Sequence, residues 1–307
     1  MKRILVVGDI ITDIYTECTF KKMCPDALDA PAVIMTDRFG FSFSKDIRPG
    51  GAANVAVNVS ALSENVIIDL IGSTDIQTLN AIKRISCGKV LYHGSLSSGL
   101  KKNRIVCDGR IVCRIDNAAA VFESDAEAVS RNLEEYFKEC NPDIIIFSDY
   151  AGKTINEYSL SMLLKHREKL LIDTKEKNLS IFKGSLMAKL NREEWREVIK
   201  NDHSPESHFE SLIVTDGAFG AEVIVYKKLA SNTSGTHSIF VKGIQTETID
   251  VCGCGDTFIA GLAISMLEFN DPFTAAMFAN AAASTVVSKD RTSVADLKET
   301  LKLIGRG

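Results

Sequence analysis

At 307 residues the chain is long enough for one large α/β domain that buries roughly three quarters of its unfolded surface. It is 45% hydrophobic and 25% charged, with a net charge of −4 and no dense basic run, which argues against a dedicated nucleic-acid partner. No segment approaches the ~20 apolar residues a bilayer demands, and MKRILVVGD has only a short apolar run before Asp9. The expectation is therefore a cytoplasmic protein with no membrane partner. Eight cysteines, at 18, 24, 87, 107, 113, 140, 252 and 254, form no CxxC pair and have no histidine at ligand spacing. They read as free thiols in a reducing compartment.

In chain order, residues 4–7 predict a buried strand ended by Gly8-Asp9, and Gly50-Gly51 open a helix over 52–62. A second strand is expected at 66–71 and a helix at 75–85. Residues 143–147 read as a strand followed by a helix over 156–169. Further strands are expected at 170–172, 211–215 and 223–226, before the chain turns helical over 257–266 and 272–287. Apolar strands interleaved with helices predict a mostly parallel sheet covered on both faces. Two segments, about 11–47 and 90–116, break this rhythm with polar, alternating stretches. Arg104-Ile-Val-Cys107 and Arg110-Ile-Val-Cys-Arg114 flank Asp108-Gly109, a hairpin signal. Both segments read as a small β-sheet lid on a single three-layer α/β domain spanning 1–307.

Asp250-Val-Cys-Gly-Cys-Gly-Asp-Thr257 precedes a long apolar helix. Its glycines permit a tight turn, and the helix start offers unpaired N–H groups to phosphate oxygens. A carboxylate repels phosphate, so Asp256 suits a base that accepts a proton from an attacking hydroxyl. By spacing alone, an ordinary glycine-rich helix start capped by Asp256 explains the pattern equally well.

Gly253-Cys-Gly-Asp256 resembles the GAGD motif of the ribokinase-like carbohydrate kinases, which carries the family's catalytic aspartate and its anion hole. Arg48-Pro-Gly-Gly-Ala-Ala-Asn-Val-Ala56 is similar to the family's first glycine motif, and Gly8-Asp9 with Asp13 to its sugar-binding element. Asn191-Arg-Glu-Glu194 resembles NxxE, and Val214-Thr-Asp-Gly-Ala-Phe-Gly220 the nucleotide-side VTxGxxG turn. Within the family the resemblance narrows to the D-glycero-D-manno-heptose 7-phosphate kinases, including the kinase half of the bifunctional ADP-heptose synthesis enzymes. It does so through RPGGAANVAVN, Arg114-Ile-Asp116, Ser148-Asp-Tyr-Ala151 and Phe278-Ala-Asn-Ala-Ala-Ala283.

The resemblance implies a ribokinase-like fold and transfer of the ATP γ-phosphate to the anomeric hydroxyl of a sugar phosphate. It makes Asp256 the base and Gly253, Cys254 and Gly255 the anion hole. Asp13, Gly50, Gly51, Asn54 and Asp149 fall on the sugar side. A 7-phosphate needs cations, and Lys102, Arg104 and Arg114 on the lid hairpin are the candidates, with a merely charged hairpin surface as the other reading. Lys175, Asn191, Thr215, Gly217 and Asn280 fall on the ATP side, with Asn191 and Glu194 orienting Mg²⁺ through water. A monovalent cation is left open beside ATP and Mg²⁺, and a homodimer through the lids is expected. Other sugars, or a non-catalytic regulatory relative, stay open as alternatives. A Rossmann oxidoreductase is excluded, because Val6-Val-Gly-Asp-Ile-Ile-Thr-Asp13 lacks GxGxxG.

The chain departs from the family pattern at four places. Cys252 and Cys254 stand where Thr or Ser and Ala are usual; two thiols beside the transfer site raise the expectation of oxidation sensitivity. Gly152-Lys153 are transposed, Asp173-Thr-Lys-Glu176 lacks the proline and glycine of DPKG, and the helical stretch after Ser73 is shorter.

Overall fold

The computed structural model describes residues 1–25, 31–34, 45–117, 122–228 and 234–305. Its first eight strands are β1 (Lys2–Gly8), β2 (Ile10–Met23), β3 (Pro31–Ile34), β4 (Lys45–Gly51), β5 (Val66–Ile71), β6 (Ser73–Thr74), β7 (Val90–Tyr92) and β8 (Ser95–Leu96). The other eight are β9 (Leu100–Cys107), β10 (Arg110–Asn117), β11 (Ile144–Ser148), β12 (Leu170–Asp173), β13 (Ser185–Asn191), β14 (Phe209–Thr215), β15 (Gly220–Lys228) and β16 (Ser234–Lys242). The helices are α1 (Ala52–Leu62), α2 (Ile76–Ile85), α3 (Glu123–Glu139), α4 (Glu157–Leu163), α5 (Arg192–Val198), α6 (Cys254–Phe269), α7 (Pro272–Val287) and α8 (Leu297–Ile304).

Nine strands form the main sheet in the order β16-β15-β14-β13-β12-β11-β1-β5-β7. Pairing is parallel from β14 to β7 and antiparallel at β14–β15 and β15–β16. Alternation along β1 shows why both faces are covered. Ile4 and Val6 join a core with α1, α6 and α7, while Leu5 and Val7 join a second core with α3 and α4. Gly261 lets α6 approach α7 closely, since a Cβ there would sit 2.7 Å from the Ala279 backbone.

A second, five-stranded sheet has the order β10-β9-β2-β3, with β4 also paired to β2. Its β9–β10 hairpin turns at Asp108 and Gly109, both at positive φ (50° and 77°), which the Asp-Gly pair tolerates. The lid expected over 11–47 and 90–116 therefore needs a correction at its second segment. Val90–Tyr92 pairs with β5 in the main sheet, and β8 pairs with β6 in a separate two-stranded ladder, so the second sheet takes up the chain only from Leu100. Residues 26–30 and 35–44 of the first segment lie outside the described residues.

Register places the site. Gly8 pairs with Ser148, Ser148 with Asp173, and Asn191 with Thr215, so the residues that follow these strands emerge along one carboxyl edge. That edge is where parallel sheets place their ligands. The helix expected over 156–169 is α4 followed by a 3₁₀ stretch, Leu164–Lys169.

Candidate active site

The turn before α6 lies against this edge. Gly253 has φ +81°, and a Cβ on it would lie 2.6 Å from Asn54 Nδ2, so the position requires glycine on both counts. Neither α6 nor α1 carries a side-chain cap at its N-terminus. The Ala52 N–H of α1 donates to the Asp9 carbonyl at 2.9 Å and the Cys254 N–H of α6 to the Val251 carbonyl at 3.3 Å, so the Gly255 and Asp256 N–H groups of α6 are the ones left to meet an anion. This disposes of the capping explanation for Asp256, whose oxygens are engaged elsewhere.

Asp256 is buried, with Oδ1 accepting from the Tyr150 hydroxyl at 2.5 Å and Oδ2 from Asn54 Nδ2 at 2.8 Å. Burial pushes its carboxyl up to about 6, against the pull of the Tyr150 and Asn54 hydrogen bonds and of Lys189; the nearby Asp173 adds to the rise. Such a group is ionised at neutral pH yet close enough to it to take a proton. Burial and Asp256 together push the Tyr150 hydroxyl well above its usual range, so it remains the donor. Asn54 is oriented by Asn58, whose Nδ2 donates to Asn54 Oδ1 at 3.0 Å while its Oδ1 accepts from the Ala295 N–H. Asp9 holds the loop bearing Tyr150, accepting from the N–H groups of Tyr150, Gly152 and Thr154.

On the lid side, Asp13 is not free. Arg104 Nη1 donates to its Oδ1 at 2.6 Å and Thr292 to its Oδ2 at 2.9 Å, and both members of the ion pair are buried. Gly50 packs on the same carboxylate, as a Cβ there would lie 2.7 Å from Asp13 Oδ2, and Gly51 has φ +57° at the start of α1. Arg104 was expected to hold a substrate phosphate; a guanidinium this buried needs its carboxylate, so it is committed to Asp13 and to Cys252 Sγ at 3.2 Å. Asn54, expected on sugar hydroxyls, spends one donor on Asp256. Arg114 is largely exposed on β10 and pairs with Asp116. Lys102 stays near, its Nζ 5.0 Å from the centre of the Tyr150 ring, and Lys175 lies over the same ring at 5.5 Å. Asp149 accepts from the Ala151 N–H and the Thr174 hydroxyl, which shapes its own turn.

On the other side of the α6 start a cavity of about 260 Å³ is lined by Thr215, Gly217, Gly243, Cys254, Gly255 and Asn280 among others. Asn280 donates to the Lys242 carbonyl at 2.8 Å, which ties α7 to the end of β16. Asn191 caps α5 in a reciprocal box: its Oδ1 accepts from the Glu193 and Glu194 N–H groups, and Glu194 Oε2 accepts from the Asn191 N–H. Despite burial, the Asn191 N–H and the paired Lys175 hold Glu194 below the ordinary carboxylate range. Among the described residues no three His, Cys, Asp or Glu side chains converge as a metal cage. An anionic Glu194, held by Asn191, whose strand partner Thr215 lines the cavity, nevertheless fits hydrated Mg²⁺, which keeps several waters and takes ligands from substrate phosphates. The eight cysteines are free. Burial pushes the Cys254 thiol up to about 12, which disfavours the thiolate at that position.

Sequence reasoning gave no role to Tyr150, Asn58, Asp173 or Lys189. Lys189 Nζ lies 2.7 Å from Asp173 Oδ2, with side chains 8% and 6% exposed, and Asp173 holds it charged in spite of its burial. A lysine within the apolar run Ser185-Leu-Met-Ala-Lys-Leu-Asn191 was the available signal.

A helix start that can bind an anion, with a buried carboxylate poised beside it at the edge of a parallel sheet, is suited to moving a phosphoryl group onto a hydroxyl. Ribokinase from Thermotoga maritima shares the fold with a TM-score of 0.74 at 18% identity, over 99% of this chain and 100% of that one. Phosphofructokinase-2 from Escherichia coli, in complex with fructose-6-phosphate, gives 0.71 at 13%, over 100% and 99%. Residues 171–299 match the pfkB family carbohydrate kinases. The chain is also similar to the bifunctional protein HldE of Helicobacter pylori, 28% identical over 332 residues, covering all of this chain and 67% of that one. HldE of Shewanella sediminis is 27% identical over 317 residues, covering 98% of this chain and 63% of that one. The chain thus spans about two thirds of the length of these relatives. These similarities make it a sugar kinase that resembles the pfkB carbohydrate kinases over residues 171–299. Among the described residues no helix is long and apolar enough to cross a membrane.

Proposed function

We propose that the chain transfers the γ-phosphoryl group of ATP to the anomeric hydroxyl of D-glycero-D-manno-heptose 7-phosphate, giving the 1,7-bisphosphate. The observation that carries the chemistry is Asp256: buried, brought to about 6, and fixed by Tyr150 and Asn54 at an uncapped helix start. In this reading the acceptor hydroxyl gives its proton to Asp256 as the γ-phosphorus–oxygen bond to ADP breaks and the new bond to the sugar oxygen forms. The N–H groups around Gly253, Cys254 and Gly255 hold the charge on the phosphoryl in transit. In the same reading ATP enters by the cavity bordered by Thr215, Gly217 and Asn280. Asn191 and Glu194 would hold Mg²⁺ through water, and Mg²⁺ when bound neutralises phosphate charge. Lys175, paired with Glu194, adds a cation on the phosphate side.

Support for heptose comes from the motifs shared with heptose 7-phosphate kinases, and Lys102 and Arg114 are the lid cations left to meet a 7-phosphate. A second reading, another sugar as acceptor, is favoured by one observation: Arg104 is spent on Asp13. We also propose a homodimer through the second sheet, whose strand β10 is exposed along its whole length and presents Ile111 and Ile115 to solvent. The test of the acceptor is ADP release from Mg-ATP across sugars and sugar phosphates. Turnover on the heptose 7-phosphate, with its KM raised by Lys102→Ala or Arg114→Ala, would support the reading; turnover on an unphosphorylated sugar alone would replace it.

A further inference from the structure

Lys189 has no assigned contact with the phosphoryl group in the reading above, and its position is costly. It lies in a central strand of the main sheet, where a charge loses most of its hydration. Two residues before Asn191, it shares that residue's face of β13. Asp173 is its hydrogen-bond partner among the described residues, and an ammonium carries three N–H donors. Gly255 also stands next to the ammonium. A Cβ on that glycine would lie 3.2 Å from Lys189 Nζ, so the lack of a side chain there leaves the ammonium against the turn. Gly255 itself lines the cavity that leads to this turn.

A cation at this place faces the negative charge that a phosphoryl group carries between ATP and its acceptor. If the pair served packing alone, apolar residues of similar volume would do as well or better, because two buried charges rarely repay their lost hydration. We propose that Lys189 is a catalytic residue: past Gly255, its ammonium donates to an oxygen of the phosphoryl group in transit, while Asp173 fixes its direction. No bond to Lys189 forms or breaks, and the acceptor's proton still goes to Asp256. The role is independent of which hydroxyl receives the phosphoryl group.

The test compares wild type with Lys189→Met and with the charge-neutral double variant Asp173→Asn with Lys189→Met, which leaves no lone buried carboxylate if the single change unfolds the chain. Turnover is followed as ADP release with whichever acceptor, or water, wild type uses fastest, so the acceptor's identity does not enter. Affinity is measured calorimetrically with a non-hydrolysable ATP analogue in magnesium buffer. The expected result is a double variant that melts cooperatively, binds the analogue within about threefold of wild type, and turns over about 100-fold more slowly, as for loss of one donor to a transition-state oxyanion. A double variant with near wild-type kcat would overturn the proposal and leave Lys189 as the neutraliser of Asp173. Analogue affinity falling by the same factor as turnover would overturn it too, making Lys189 a ground-state nucleotide anchor.

Discussion

Removing the Tyr150 hydroxyl tests the network around Asp256 without touching the base itself. In the wild type this hydroxyl donates to Asp256 Oδ1 at 2.5 Å, and the carboxyl is brought to about 6 mainly by burial. Hydrogen bonds to charged groups contribute about 1.5–3 kcal/mol, and 1.36 kcal/mol equals one pH unit, so Tyr150→Phe raises the midpoint by about one to two pH units. In the role proposed for it Asp256 acts deprotonated, so activity is expected above the midpoint and is lost as pH falls through it. With a wild-type midpoint of about 6, some nine tenths of the enzyme is competent at pH 7. The variant then loses roughly two- to tenfold in kcat/KM at pH 7 and recovers nearly all of it at pH 9. The assay is ADP release across pH 5 to 9 at limiting acceptor. A loss that is the same at every pH would refute the reasoning and assign Tyr150 a contact with substrate; an unmoved acid limb with full activity would deny that Asp256 is the titrating base.

Three further outcomes follow from the same geometry. Arg104→Ala leaves Asp13 buried without its cation and is expected to cost about 3–5 kcal/mol in urea unfolding, whereas Arg114→Ala, at an exposed pair, changes stability by less than about 0.5 kcal/mol. Gly253→Ala combines a positive φ with a collision against Asn54; displacement of that amide is expected to lower kcat by about tenfold or more, while a variant of full activity would show that Asn54 need not hold Asp256. Ile111→Asp with Ile115→Asp is expected to convert a dimer to a monomer in analytical ultracentrifugation, and a wild type that sediments as a monomer would remove the proposed interface.

Most of the main sheet was legible because its strands are apolar without interruption and its helices begin at glycines or polar caps. Residues 52–62, 66–71 and 272–287 coincide with α1, β5 and α7. Strand β13 was not legible, since Lys189 breaks its apolar run for a reason that only appears once Asp173 is beside it. Residues 90–96 were read as lid because strands of two or three residues carry too little pattern to say which sheet receives them. The turn that carries Asp256 was plain from its glycines. Its surroundings were not: Tyr150 and Asn54 come from segments 106 and 202 residues away, and nothing in spacing says that both donate to one carboxylate. Arg104 carried the same ambiguity, because a cation on an alternating strand reads equally as a phosphate anchor or as the partner of Asp13.

The most direct test of the account is turnover by Asp256→Asn beside wild type, followed as ADP release from Mg-ATP with the preferred sugar, with nucleotide affinity measured in parallel. The account predicts nucleotide binding within a few-fold of wild type and a kcat lowered by about 10³ or more, the scale expected when the general base is lost and the helix start remains. A variant that keeps its turnover would contradict it, because the proton would then leave the acceptor by another route.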